Sequence, residues 1–229
     1  MRRIKIAVLF IAMCCSASSA QSLSGVGIKG GINYAQIAET GTMSGDTDFT
    51  TEFLIGAYSQ FEILDFLFFR YELLYSIRGT SRTITSPSWS FTTNRNISII
   101  EPAMLAHFPL SSSGRSRTHI FTGASLGVNV AASTTITGEY QNEPYRETRN
   151  DRSSYLPLDP GLVVGLGIEY RFEPAHIIVD IRYVHGLMNI WDRGAQYAPD
   201  ILLQNDEPDG GGIPKMHSRT ISFVIGLGI

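Results

Sequence analysis

Five histidines, His107, His119, His176, His185 and His217, are the side chains of this sequence best suited to proton transfer or metal binding. A lipid hydrolase would need one of them to converge with a serine and an orienting acid near a membrane interface. No motif surrounds any of the five. Asp180 and His185 are five positions apart, which in a strand puts them on opposite faces. His119 and His176 fall beside short connections, where they are expected to meet only headgroups or water. Asp200, Asp206, Glu207 and Asp209, ahead of Gly210-Gly211-Gly212, could suggest a cation site. Their spacing is not that of a calcium loop, and a solvated loop fits them better. Arg146, Glu147, Arg149, Asp151 and Arg152 likewise read as a charged loop tip. The two cysteines are Cys14 and Cys15, so the chain beyond them has no disulfide, thiolate metal site or cysteine nucleophile. Neither catalysis nor a cofactor is expected.

A second set of polar residues does carry a pattern. Lys29, Glu62, Arg70, Glu72, Arg78, Glu101, Glu169, Arg171, Asp180 and Arg182 lie inside segments that alternate apolar and polar residues. Ile221, Phe223, Ile225, Leu227 and Ile229 alternate with Ser222, Val224, Gly226 and Gly228. Ile177, Val179, Ile181 and Tyr183 alternate with Ile178, Asp180, Arg182 and Val184. Leu162 to Arg171 repeats the device, as do 26–34, 53–63, 69–77, 97–108 and 120–130. Period-two alternation is the mark of a strand with two unlike faces. These segments are rich in Ile, Val, Phe, Tyr, Thr and Gly and sustain no helical stripe. Eight strands are predicted, most of them meeting the roughly 9–11 residues that a tilted membrane-spanning strand needs.

The gaps between these strands alternate in length: about 37–51, 64–66, 79–96, 109–118, 132–157, 173–175 and 188–216. Long gaps alternating with mostly tight ones match the long extracellular loops and short periplasmic turns of an outer-membrane barrel. With the apolar residues turned to lipid, the ten residues above point inward with Asn33, Tyr58, Gln60, His107 and Asn129. Five of the ten are cationic and five anionic, so each ion can find a partner away from lipid. A soluble sandwich would put those charges in water, but its apolar face would be narrower. Here that face includes Phe61, Phe69, Tyr71, Tyr75, Phe108, Tyr170, Tyr183 and Phe223, as interfacial girdles do. Pro102 interrupts the fourth strand, and a bulge is expected there, with the face assignment changing between Ile99 and Ile100. Eight strands enclose a lumen that side chains fill, whereas aqueous porins use about 16–18. Glycines at 31, 56, 127, 165, 167, 226 and 228 could leave local voids.

The N-terminus gives a compartment. Arg2, Arg3 and Lys5 precede the apolar run 6–15, and Ser18-Ser19-Ala20 supplies small residues before Gln21. Such a segment is a secretory signal peptide, with cleavage expected between Ala20 and Gln21. Ten apolar residues would cover only about 15 Å as a helix, too little for a core of about 30 Å. Lipidation of Cys14 is disfavoured by the bulky Met13 before it. Residues 1–20 hold three of the 18 Lys and Arg and none of the 21 Asp and Glu, so their removal takes the formal charge from −3 to −6. That balance argues against a nucleic-acid partner. The expected organisation is therefore all-β: a signal peptide (1–20), then a closed, antiparallel, up-and-down transmembrane barrel of eight strands (21–229).

Several stretches resemble a known family. Gly27-Ile28-Lys29-Gly30-Gly31-Ile32-Asn33-Tyr34 is similar to the opening of the Bacteroidetes outer-membrane β-barrel proteins related to PorT. Similar too are Phe69-Arg70-Tyr71-Glu72-Leu73-Leu74-Tyr75, the stretch from Gly161 to Tyr170, and that from Asp180 to Ile190. The resemblance implies a small barrel in the outer membrane of a diderm bacterium and carries over no catalytic residue. The functional expectation is a non-enzymatic barrel with a charged, filled lumen. It would contact outer-membrane lipid and, through its long loops, a surface or secretion-machinery protein. The alternatives are a small lipid-modifying enzyme and an accessory barrel of a secretion apparatus. N-terminal sequencing of protein recovered from membranes is expected to begin at Gln21; a chain that retains Arg2 or carries lipid on Cys14 contradicts that processing.

Overall fold

The computed structural model describes residues 22–40, 48–86, 89–140, 143–190 and 215–229. The signal segment with its Ala20–Gln21 junction, and the acidic cluster Asp200 to Asp209, lie outside the described residues. Nine strands follow in order: β1 (Ser22–Thr40), β2 (Asp48–Leu64), β3 (Leu67–Ser86), β4 (Trp89–Ser113), β5 (Ser116–Tyr140), β6 (Glu143–Asn150), β7 (Leu158–Phe172), β8 (Ala175–Gly186) and β9 (Lys215–Gly228).

Eight of them close a ring. Each of β1 to β5 pairs with the next, β5 passes to β7, β7 to β8 and β8 to β9, and β9 returns to β1, antiparallel throughout. The closing ladder runs from Gly27↔Gly228 to Thr40↔Lys215. Over Gly27–Ala35 and Thr220–Gly228 the alternation of both strands agrees with this register, so the pairing also sets each side chain on its proper face. A closed sheet leaves no edge whose amides would go unpaired in hydrocarbon.

The ninth strand was not expected. β6 pairs with the far end of β5, from Ser133↔Asn150 to Tyr140↔Glu143, within the span read as the loop 132–157. In the gap 79–96, 79–86 and 89–96 are strand as well: β3 and β4 stay paired out to Ser86↔Trp89. Thr, Ser, Asn and Arg dominate both stretches, so they lack the apolar half of the alternation that marks a barrel strand. The gap 109–118 also shrinks, to a turn at Gly114-Arg115 between β4 and β5. Gly114 has φ 57°, a left-handed conformation that a tight turn asks of glycine. β4 and β5 each have 25 residues, far more than the roughly 9–11 that cross a bilayer. Their surplus, with the ends of β3 and β6, forms a four-stranded sheet beyond the ring.

The expected bulge moves. β4 keeps constant register with β5 from Ile99↔Asn129 through Ile100↔Val128 to Ala103↔Ser125, and Pro102 pairs in register with Leu73. The shift lies between Ser98↔Ala131 and Ile99↔Asn129, which makes Val130 of β5 the extra residue. Ile97, Ile99, Glu101, Ala103, Leu105 and His107 are all buried, so the inward face of β4 does not change between Ile99 and Ile100. Parity changes on β5 instead: Ser125 and Asn129 are buried below Val130, Ala132 and Thr134 above it.

The outward face is an apolar band. Ile28, Ile32, Ile55, Leu73, Met104, Leu162, Leu166, Val179, Phe223 and Ile225 are all exposed. Patches of this extent on a soluble surface would drive association, whereas lipid removes the cost. Phe61 and Tyr71, in edge contact with centroids 5.6 Å apart, flank the band on the tight-turn side. Ile181 sits mid-strand between Leu166 and Phe223 and is exposed, while its neighbour Arg182 is buried. In folding titrations into lipid vesicles, Ile181→Arg is expected to cost about 2–4 kcal/mol. A neutral outcome there would mean that the outward face does not meet lipid.

Candidate functional site: an ion ladder through the lumen

Inward residues of a small barrel must fill it, and here many of them are charged. Starting at the tight-turn rim, Glu62 accepts from Arg117 at 2.7 Å and from Arg171 at 3.1 Å. Arg171 reaches Glu169 at 2.5 Å, and Glu169 lies 3.6 Å from Arg70. Arg70 pairs with Asp180 at 3.2 Å, which also accepts from Lys29 at 2.8 Å. Lys29 bridges to Glu72 at 2.5 Å, and Glu72 to Arg182 at 2.9 Å. Arg182 approaches Glu101 at 3.6 Å; Glu101 pairs with Arg78, and Arg78 with Asp159 at 3.0 Å. Ser218 closes this end by donating to Asp159 at 2.7 Å.

The signs alternate at every step. Six cations and six carboxylates form one unbroken chain from the tight-turn rim to the buried Asp159, with equal and opposite total charge. Alternation is what low dielectric demands: a buried ion is tolerable only beside its opposite, with hydrogen bonds on the remaining atoms. Arg70 shows how far this goes. Its side chain is 0% exposed, its guanidinium donates to Gln60 Oε1 at 2.8 and 3.2 Å, and it lies 5.3 Å from the Tyr58 ring centre. A planar fork with several fixed donors suits that place better than lysine would.

The structure joins all ten charged residues singled out from the sequence. Two of them, Glu62 and Arg171, belong to the rim, with side chains 39% and 45% exposed. Two members were missed. Arg117 fell in the assumed gap 109–118, and Asp159, before Pro160-Gly161, was not singled out. Each keeps the parity of its strand, Arg117 with Phe121 and Asp159 with Val163. Extending the alternation across the assumed boundaries was the signal available.

The histidines correct the reading more sharply. His119 is 0% exposed and His176 is 7%, so neither sits at headgroups or in bulk water. His107 stacks between Phe68 and Phe121, with centroids 4.7 Å from each, and His119 lies 4.8 Å from His107. His119 Nε2 is 3.4 Å from Asp180. His176 shares a 2.7 Å hydrogen bond with the Tyr58 hydroxyl. Glycine makes room for both contacts. His119, Gly167 and Asp180 form one row across three strands, and a Cβ at 167 would collide with both neighbours. Tyr58 reaches His176 over Gly27 and Gly228, and a Cβ at 228 would strike both. At these two positions the glycines are filled by neighbours and leave no voids.

Apolar residues complete the packing, with Leu54, Leu74 and Val224 in one cluster and Ala103, Leu105, Phe121, Val163 and Val184 in another. Lys29 is the link between Glu72 and Asp180, so Lys29→Met should strand two carboxylates and cost about 3–5 kcal/mol in chemical unfolding from vesicles. Asp180→Leu should cost a similar amount. The double variant should fall well short of the sum, because each change removes a partner of the other. Strict additivity would show that the two ions are not coupled.

The outer membrane protein beta-barrel domain family matches residues 17–192, most of the chain up to but not including β9. Among solved structures, the chain is similar to Ail, the attachment invasion locus protein of Yersinia pestis: 12% identity over 91% of this chain and all of that one, TM-score 0.37. It is similar to Neisserial surface protein A, at 11% identity over 88% of this chain and 95% of that one, TM-score 0.40. It is also similar to OprG from Pseudomonas aeruginosa, at 11% identity over 91% and 95%, TM-score 0.39. No curated protein matches the chain. The assignment rests on the family match together with the closed ring: the chain belongs to the outer membrane protein beta-barrel domain family, and its place is the outer membrane.

Proposed function

We propose that this protein is a non-enzymatic structural barrel, closed to solutes, which carries a surface-interaction module on the extracellular side. The observation that supports the reading is the unbroken ion ladder. A solute crossing the lumen would have to separate paired, buried ions, each separation costing several kcal/mol. The projecting sheet lies on the side opposite the tight turns, where an outer-membrane barrel meets the exterior. Strands and loops there are free to vary, because the ring below them carries the stability. His107, His119, His176 and His185 are engaged with aromatic rings, a tyrosine or the ladder, an arrangement better suited to packing than to acyl transfer. The stretches similar to PorT-related proteins support placement in that Bacteroidetes group, and a secretion-machinery protein is one partner the outer sheet could meet. The basic, apolar and small-residue order of 1–20 supports export by a cleaved signal peptide.

Purified protein in planar lipid bilayers should give no stable conductance steps. Reproducible ohmic openings would refute closure and would call for rearrangement of the ladder or for assembly of several chains.

A further inference from the structure

The sheet beyond the ring has two unlike faces. On its outer face, cross-strand pairing sets Thr83, Thr92, Thr137 and Arg146 in one row. The next row is Ser81, Asn94, Thr135 and Thr148. Thr83 and Thr92 share a 3.0 Å hydroxyl contact, and Thr135 and Thr148 one of 3.2 Å. Most of the charge lies on the opposite face, on Arg82, Arg95, Glu147 and Arg149, while Glu139 stands on the outer face one row beyond Thr137, beside Ser90 and Pro144. Arg146 is the one ion in the two rows, and it stands on the edge strand.

Solvated surfaces of soluble proteins usually intersperse charges of both signs at about 25–35% of positions. An array of small hydroxyls and amides is a departure, and its location gives it meaning. On β3 the outward parity runs from Leu73, Tyr75 and Ile77 to Ser81 and Thr83, with Gly79 between them covered by Asn96 and Thr50, so the polar array follows directly on the lipid-facing strip. The Val130 bulge keeps β5 in step: it reverses parity where the strand leaves the band and places Thr135 and Thr137 on the same side as Thr92. A face that rises from the lipid-facing band on the side opposite the tight turns is, in an outer-membrane barrel, set beside the headgroups of the outer leaflet. The array repeats about every 4.8 Å across strands and about 7 Å along them, with a donor and acceptor at each hydroxyl position. Such a grid suits a ligand that is itself a flat set of hydroxyls.

We propose that this threonine-rich face is a docking surface for the saccharide headgroups of outer-leaflet glycolipid. The proposal rests on the outer-membrane placement but goes beyond it, because a barrel could insert with no preference among headgroups.

The test uses the mature chain refolded into phosphatidylcholine vesicles, with or without purified lipopolysaccharide, and reads the heat-unfolding midpoint from gel mobility. The parent should unfold at a higher temperature in the lipopolysaccharide vesicles. Combined Thr83→Val, Thr92→Val, Thr135→Val and Thr137→Val keeps shape and strand preference but removes four hydroxyls. That variant should match the parent in phosphatidylcholine and lose most of the rise. If it does not fold, the Thr92→Val and Thr137→Val pair supplies the same comparison. Equal rises in parent and variant would overturn the proposal, as would no rise in the parent or loss of the rise on Arg146→Gln alone. Failure of the parent to insert into phosphatidylcholine would instead refute the barrel placement, so the two failures are distinguishable.

Discussion

Inside hydrocarbon, every backbone amide and carbonyl must find a partner within the protein, because no water is there to substitute. For a chain built of strands, this means that the first and last of them have to meet. β1 and β9, separated by most of the sequence, do so over the whole run from Gly27↔Gly228 to Thr40↔Lys215. Ring closure then dictates the remainder. Alternate residues must face out, and the outward set is accordingly apolar. The other half point into a space too narrow for bulk water, and they must satisfy one another. The ion ladder is the lumenal counterpart of the closed backbone: each ion below the rim has an opposite charge beside it because it cannot rely on solvent.

This logic explains what was legible in the sequence. Alternation in Ile177 to Val184 and Ile221 to Ile229 gave strand, face and membrane side together, because the apolar half must meet lipid and the charged half cannot. Lys29, Glu72, Asp180 and Arg182 could be placed inward from parity alone. Their pairing was not legible, since which carboxylate meets which cation depends on register between strands far apart in the chain. Lys29 and Asp180 are 151 positions apart.

Elsewhere the same signal ran out for definite reasons. Above the bilayer there is no lipid to demand apolar residues, so 79–86, 89–96 and 131–140 form strands with little hydrophobic alternation, and a polar strand reads as a loop. Pro102 drew attention because a missing N–H should disturb a ladder, yet the displaced register belongs to Val130, which carries no sequence mark of a bulge. His119 and His176 were misplaced because each is adjacent to a turn in sequence. The glycine at 167 lets His119 lean toward Asp180, and those at 27 and 228 let His176 meet Tyr58.

The length of the β1–β9 pairing has a consequence for assembly. Lys29 lies on β1 and its partner Asp180 on β8, and the ring cannot shut until β9 has met β1. Until then the sheet has an open edge, and Lys29 and Asp180, on strands that meet only through β9, are held apart. Ions in that condition hold on to water. The lumen must therefore stay wet until β9 zips to β1, and drying of the interior and closure of the wall become a single concerted event in folding.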